Sequence, residues 1–164
     1  MLLLNTEQTT QKIKRLAIEI MEQNFHEPEI VLVGINNSGT LLANQLLREM
    51  EQIAESNIQL TSVHLNPANP MANEAHTDLS SDVFEQKVII VVDDVANTGR
   101  TLHYSMKPFL SVLPKKIEVA VLVDRKHKLF PIATDYVGIT LATTLQEHIE
   151  VRFGEGDDIS VYLN

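Results

Sequence analysis

Two adjacent carboxylates, Asp93 and Asp94, follow directly on an apolar run in the middle of the chain. The run, Val88–Val92, is uncharged and mostly β-branched, which is typical of a strand buried on both faces in a parallel sheet. In open α/β sheets, ligands bind beyond the carboxyl ends of the strands. We therefore expect a ligand site at this corner, with a helix over residues 100–113 behind it.

The loop after the carboxylates has the residue types of a phosphate site. Backbone N–H groups that enter a helix attract anions, and Gly99 lets the backbone approach a ligand closely. Thr98 and Thr101 can donate hydroxyls, Asn97 lies beside them, and Arg100 adds a cation. The carboxylates suit sugar hydroxyls or a hard cation such as Mg²⁺, held directly or through water. A phosphate beside a diol satisfies both halves, so ribose 5-phosphate is the natural candidate.

A second corner is built in the same way. The strand-like run Ile30–Ile35 is followed by the polar turn Asn36, Asn37, Ser38 and Gly39, and then by a helix predicted over residues 40–55. If the two strands are parallel neighbours, both loops open on the same edge of the sheet. An ordinary polar turn is the alternative for this loop alone. The pairing of the two corners favours a binding role.

The rest of the chain alternates strand-like and helix-like segments, which predicts an α/β fold. Asn5 and Gln8 have the spacing of a capping box for a helix over residues 7–24. Residues 66–85 are polar and rich in proline, which predicts a lid or a disordered segment. The other predicted strands are Leu2–Leu4, Ile58–Leu65, Ile117–Val123, Asp135–Ile139, Ile149–Phe153 and Ile159–Leu163.

Length and composition limit the classes of function. A chain of 164 residues suggests one domain. It has no apolar run near 18 residues that could cross a membrane, and residues 1–4 lack the length and basic start of a signal peptide. A cytoplasmic location is the default expectation. The absence of cysteine excludes disulfides and thiolate chemistry.

The net charge of −9 argues against nucleic-acid binding, which draws mainly on Lys and Arg at phosphates. Two small basic groups exist, one formed by Lys12, Lys14 and Arg15 and the other by Lys115 and Lys116. Solvated charge is the favoured interpretation of both groups. RNA is therefore an unlikely partner.

The segment from Val91 to Thr101 resembles the PRPP-binding signature of type I phosphoribosyltransferases. The resemblance implies a mainly parallel central sheet flanked by helices, with a flexible lid and a small hood, in one domain over residues 1–164. The lid would be residues 66–85, and the hood residues 124–164 plus the N-terminal strand.

The same resemblance implies roles for the two corners. Asp93 and Asp94 would bind the ribose hydroxyls of PRPP and a Mg²⁺ cofactor. The turn of residues 36–39 would hold the pyrophosphate. The 5′-phosphate loop would consist of Val95, Ala96, Asn97, Thr98, Gly99, Arg100 and Thr101.

The tail, Leu122–Ile132 with Asp135–Gly138 and Asp158–Tyr162, is similar to the bifunctional pyrimidine operon regulator and uracil phosphoribosyltransferase group. This similarity implies that Val123, Asp124 and Arg125 lie on the nucleobase side. The alternative for Asp124 and Arg125 is a surface ion pair. The implied reaction transfers ribose 5-phosphate from Mg²⁺-PRPP to a pyrimidine-like base, uracil first, and a homodimer is implied as well.

The sequence departs from the family where the pyrophosphate would bind. The resembled proteins carry basic residues there, whereas residues 36–39 contain no cation, and no Lys or Arg occurs between Arg48 and Lys87. Only His64 and His76 could offer positive charge in that interval. Asn97 stands where some members have an acidic residue, and an amide is a poor base, so no side chain is assigned as general base.

Three hypotheses follow from these matches and departures. The first is a phosphoribosyltransferase, the second a regulatory domain that binds PRPP or a nucleotide with weak or no catalysis. The third, disfavoured by the net charge, is an RNA-binding attenuation regulator.

Overall fold

A computed structural model gives the fold of residues 1–142, 144 and 146–164. The strands are numbered in chain order and form two sheets. The smaller sheet contains β1 (Leu2–Leu4), β8 (Ile149–Phe153) and β9 (Ile159–Leu163). The larger sheet contains β2 (Glu29–Ile35), β3 (Asn57–His64), β4 (His76–Thr77), β5 (Val88–Ala96), β6 (Lys116–Arg125) and β7 (Tyr136–Leu141).

The larger sheet has the strand order β4-β3-β2-β5-β6-β7. Its neighbouring strands are parallel, except that β4 runs antiparallel to β3. The smaller sheet has the order β1-β9-β8 and is antiparallel. The α/β class with a mainly parallel sheet is confirmed, and β2 and β5 are neighbours, so their two corners open on one edge.

The helices of the described residues are α1 (Thr6–Asn24), α2 (Asn36–Glu51) and the short α3 (Arg100–Ser105). The capping box of α1 is confirmed, because the Gln8 N–H donates to Asn5 Oδ1 at 2.9 Å and the Asn5 N–H donates to Gln8 Oε1 at 3.0 Å. No helix in these residues is long and apolar enough to cross a bilayer.

Apolar side chains cover both faces of the larger sheet. On one face, α1, α2 and the smaller sheet pack over β2, β5 and β6, with Ile20 and Leu46 fully buried. On the other face, Phe84 and Phe109 pack edge to face with ring centroids 4.9 Å apart. The central strand β5 is therefore buried on both sides, as its apolar sequence predicts.

Several boundaries differ from the sequence-based prediction. Strand β5 does not stop before the carboxylates but continues to Ala96, because β6 supplies ladder partners as far as Asp124. The turn predicted at residues 36–39 is the first turn of α2, which ends at Glu51 and not at residue 55. Helix α3 ends at Ser105, where Pro108 prevents the predicted continuation to residue 113.

The polar segment of residues 66–85 carries more structure than predicted. It contains strand β4 and a 3-10 turn, Ser81–Phe84, that buries Phe84. Strand β7, predicted to belong to the hood, pairs with β6 in the larger sheet. Strands β1, β8 and β9 form the separate antiparallel sheet, which we call the small sheet.

Candidate active site

Asp93 and Asp94 lie at the carboxyl end of β5, where the chain leaves the sheet. The Asp94 N–H donates to Asp93 Oδ1 at 3.0 Å, and the Val95 N–H donates to Asp94 Oδ1 at 2.9 Å. Burial of Asp93, which is 8% exposed, raises the pKa of its carboxyl well above the usual range, and the charge of Asp94 adds to the effect. The pair is therefore a fixed acidic group.

The loop of residues 97–99 turns away from the sheet through Gly99, whose φ of +84° suits a residue without a side chain. The Thr98 carbonyl accepts from the N–H groups of Leu129 at 2.9 Å and Phe130 at 3.2 Å. These bonds fix the loop from outside. Inside it lies a cavity of about 290 Å³. Its lining includes Val95, Ala96, Asn97, Thr98, Gly99, Arg100 and Thr101.

The first turn of α2 forms the opposite wall of a larger cavity of about 470 Å³. Asn36 has a φ of +49°, and its Oδ1 accepts from the Leu65 N–H at 3.0 Å. Asn37 and Ser38 line the cavity. Gly39 faces β5, and a Cβ built on it would lie 2.5 Å from the Val92 carbonyl oxygen. Residue 39 therefore lets α2 touch β5.

The two cavities are contiguous, because Asp93, Val95, Asn97 and Thr101 line both. Together they place the acidic pair between the loop of β5 and the start of α2. The sequence analysis brought these three groups to one edge of the sheet, and the structure places them around one space. The larger volume is within the range of about 300–1,000 Å³ that small-molecule sites occupy.

Two further parts of the wall come from outside the two corners, and sequence reasoning missed the second of them. Pro67 lines both cavities from the 66–85 segment, and four residues, one just before β8 and the first three of β8, line the larger one. These four are His148, Ile149, Glu150 and Val151. Nothing in the local sequence of β8 marks it as part of the site, because its position depends on how the small sheet packs against β5.

The three residues predicted for the nucleobase side are the last three residues of β6. Val123 is fully buried in the core, and Asp124 forms an ion pair with Lys128 and accepts from the Thr134 hydroxyl at 2.9 Å. Arg125 is 9% exposed and donates to Asn97 Oδ1 at 3.0 Å. None of the three lines either cavity. Within the described residues the ion-pair partner of Asp124 is Lys128, and the nucleobase role of the three residues stays a prediction.

The phosphoribosyl transferase domain model matches residues 3–158. The chain belongs to the phosphoribosyltransferase family. Its relatives include the bifunctional protein PyrR of Bacillus velezensis, which is 36% identical over 93% of this chain and 91% of that protein. The bifunctional protein PyrR of Streptomyces coelicolor is 33% identical over 88% of this chain and 79% of that protein.

Solved structures give the same fold at lower identity. A hypoxanthine-guanine phosphoribosyltransferase from Bacillus anthracis aligns with a TM-score of 0.77 at 21% identity, over 99% of this chain and 96% of that one. A hypoxanthine phosphoribosyl transferase from Trypanosoma cruzi aligns with a TM-score of 0.74 at 18% identity, over 98% and 90% of the two chains. This similarity supports the type I phosphoribosyltransferase fold.

Positive charge is scarce around the two cavities. Among the described residues, no Lys or Arg lines the larger cavity. Arg100 lines the smaller cavity, where its Nη2 donates to the Pro67 carbonyl at 2.7 Å. His64 and His76 face each other across β3 and β4, with ring centroids 5.5 Å apart, and line neither cavity. The departure noted in the sequence is thus retained in three dimensions.

The acidic pair suits a Mg²⁺ ion that is bound by protein carboxylates and by the substrate together. The described residues contain no cluster of three or more His, Asp or Glu side chains that could hold a metal by themselves. Mg²⁺ typically keeps several waters and uses one or two carboxylates together with substrate phosphates. Asp93 and Asp94 fit that description and would be the residues that hold the cation with PRPP.

Proposed function

We propose that this chain transfers ribose 5-phosphate from Mg²⁺-PRPP to a pyrimidine-like base, with uracil as the first candidate and pyrophosphate as the other product. The observation that carries the proposal is the shared cavity with the acidic pair at its centre, the loop of residues 95–101 on one side and the start of α2 on the other. This order matches a phosphate, a diol and a pyrophosphate in one ligand.

The loop would hold the 5′-phosphate. Its backbone turns at Gly99 and is fixed by the hydrogen bonds to Thr98. A preformed loop loses little conformational entropy when an anion binds. The hydroxyls of Thr98 and Thr101 and the guanidinium of Arg100 would supply further donors.

Asp93 and Asp94 would accept hydrogen bonds from the ribose hydroxyls. Their bonds to backbone N–H groups set the orientation of both carboxylates before substrate arrives. A bound Mg²⁺ would neutralise part of the negative charge of the pyrophosphate. Negative carboxylates near the ring also stabilise the positive charge that develops on the anomeric carbon as the bond to pyrophosphate breaks.

Asn37 and Ser38 would contact the leaving pyrophosphate through neutral groups. We expect slow turnover, since removal of one transition-state donor typically costs about 10²–10³ in rate. The second candidate function, a domain that binds PRPP or a nucleotide with little catalysis, is favoured by the absence of Lys and Arg from the described lining.

The test is release of pyrophosphate from Mg²⁺-PRPP across a panel of bases. We expect release with uracil or a related base, and a loss of about 100-fold or more in Asp94→Asn. Asp157→Asn is the matched control, because Asp157 is exposed and pairs with Arg48 outside the two cavities.

Calorimetric titration with UMP and Mg²⁺-PRPP separates the two candidates. Binding without turnover for any base at high enzyme concentration would support the binding domain and exclude the enzyme. Absence of binding by the wild-type chain would exclude both.

RNA binding is not part of the proposal. Lys115 and Lys116 form ion pairs with Glu27 and Glu118, so their charge is compensated within the chain. A gel shift with a transcript leader at physiological salt should show no retardation. The homodimer remains a prediction that sedimentation or light scattering would check.

A further inference from the structure

The proposed reaction assigns no part of the substrate to one wall of the site, the start of β8. With the phosphate at the loop of residues 97–101 and the pyrophosphate at α2, the ribose lies over Asp93 and Asp94. Its anomeric carbon must face both the leaving group and the incoming base. Among the described lining, the remaining polar wall is His148 and Glu150, so this inference rests on the proposed function.

Glu150 is held in a defined orientation beside the cavity. Its Oε2 accepts from Arg152 Nη2 at 2.8 Å and from Asn164 Nδ2 at 3.0 Å. These bonds, with that from Arg152 the stronger, lower the pKa of the Glu150 carboxyl, which is therefore charged at neutral pH. Arg152 in turn lies over the Tyr162 ring at 4.2 Å from its centroid. The carboxylate is thus fixed by a small network behind it.

The other oxygen of Glu150 has a different environment. No residue in the described part of the chain donates a hydrogen bond to Oε1. An ionised carboxylate oxygen accepts hydrogen bonds and cannot donate one. One open acceptor oxygen matches a single N–H of a ligand, whereas a bidentate donor pair requires both oxygens.

We propose that Glu150 determines base specificity by accepting the ring N–H of a lactam-type base. In uracil this is the N3–H. Cytosine has a lone pair at the same ring nitrogen, which a carboxylate repels, and methylation of the uracil N3 removes the proton altogether. The residue would therefore favour uracil-type bases over amino-type bases through a side-chain charge. The base itself would lie against the start of β8, which lines the larger cavity.

The experiment measures nucleotide binding, so it does not depend on turnover. UMP, CMP and N3-methyl-UMP are titrated into wild-type protein and Glu150→Gln, with ribose 5-phosphate as the ligand without a base. We expect the wild type to bind UMP at least about tenfold more tightly than the other two nucleotides, because only uracil offers the charged carboxylate a ring N–H. In Glu150→Gln the preference for UMP over CMP should fall about tenfold, because the amide can donate to the cytosine nitrogen.

Two controls separate base recognition from structural damage. Ribose 5-phosphate should bind Glu150→Gln as it binds the wild type. Glu155→Gln, an exposed acid in the β8–β9 hairpin outside the cavity, should keep the wild-type preference.

An unchanged ratio of UMP to CMP affinity in Glu150→Gln would overturn the inference and leave the proposed function intact. Equal weakening of both nucleotides would also overturn it, because Glu150 would then not read the base. Failure of the wild type to bind any nucleotide or PRPP would overturn the proposed function, and this inference with it.

Discussion

The corner that joins β2 to α2 and the corner that joins β5 to α3 have similar sequences but different structures. In the first, the helix begins with no intervening loop, and Asn36 takes a positive φ as its first residue. In the second, a loop of three residues separates strand from helix, and the positive φ falls on Gly99. The two corners therefore reach the shared cavity with different backbone geometry.

The difference lies in what holds each corner in place. The start of α2 is fixed from within by the Asn36 bond to Leu65 and by close packing of Gly39 on β5. The loop after β5 is fixed from outside by residues 129 and 130. The corner at α2 depends on close packing of Gly39 against β5. The corner after β5 depends on the backbone conformation of Gly99. Each can be tested separately.

The largest effect is expected at the packed corner. Gly39→Ala places a Cβ 2.5 Å from the Val92 oxygen, so α2 must move away from β5. We expect a loss of about 1–3 kcal/mol in the free energy of unfolding, as for other overpacked sites, together with weaker Mg²⁺-PRPP binding. Denaturant unfolding and calorimetry measure the two effects. Asn37→Ala, on the exposed side of the same turn, should leave stability within about 0.5 kcal/mol.

At the looped corner, Gly99→Ala should act through the backbone. The new Cβ meets its nearest neighbour, in Ile132, at an ordinary 3.4 Å, but the φ of +84° disfavours any residue with a side chain. We expect a loss of about 1–2 kcal/mol in stability and weaker binding of ribose 5-phosphate. Full wild-type affinity in a stable Gly99→Ala protein would show that the loop does not need this conformation.

Asp93 lies at the seam between the corners, and its charge should cost stability. Because burial raises the pKa of Asp93, its contribution to stability is fully present below the unfolded pKa of about 4 and is lost as pH rises through the folded pKa. Asp93→Asn should therefore raise the melting temperature at neutral pH by roughly 2–4 °C, the shift that about 1 kcal/mol gives in a domain of this size. The advantage should vanish in acid. Melting without Mg²⁺ at several pH values checks this, and an equal difference at every pH would contradict it.

The smallest effect is expected when a cation is introduced at the start of α2, where the chain has none. Asn37→Lys adds a positive charge to the wall proposed for pyrophosphate. We expect KM for Mg²⁺-PRPP to fall several-fold at low salt and the gain to shrink as ionic strength rises. Asn44→Lys, farther along α2, is the control. No change in KM at any salt concentration would place the pyrophosphate elsewhere.

The sequence predicted the two corners because each depends on short-range patterns. An apolar strand, a turn and a helix within about twenty residues mark each one, and parallel pairing of β2 with β5 then brings them together. Helix and strand ends were less well predicted. The ends of β5 and α2 depend on ladder partners and packing, and Pro108 was overlooked as a helix breaker.

The nucleobase side shows the limit of that reasoning. The family resemblance implied Val123, Asp124 and Arg125 there, and this stays a prediction; their side chains lie in the core, at Lys128 and at Asn97. The wall is completed by residues 148–151 from another sheet. Their approach to β5 follows from tertiary packing between the two sheets, which has no local signature in the chain.

The close approach of α2 to β5 at Gly39 limits how the larger cavity can change shape. Because no side chain separates α2 from β5 at Gly39, the two elements are closely packed and cannot move closer together there. Pro67 and residues 148–151 line the larger cavity from other segments of the chain, so we expect any widening for a ligand to come from movement of these segments.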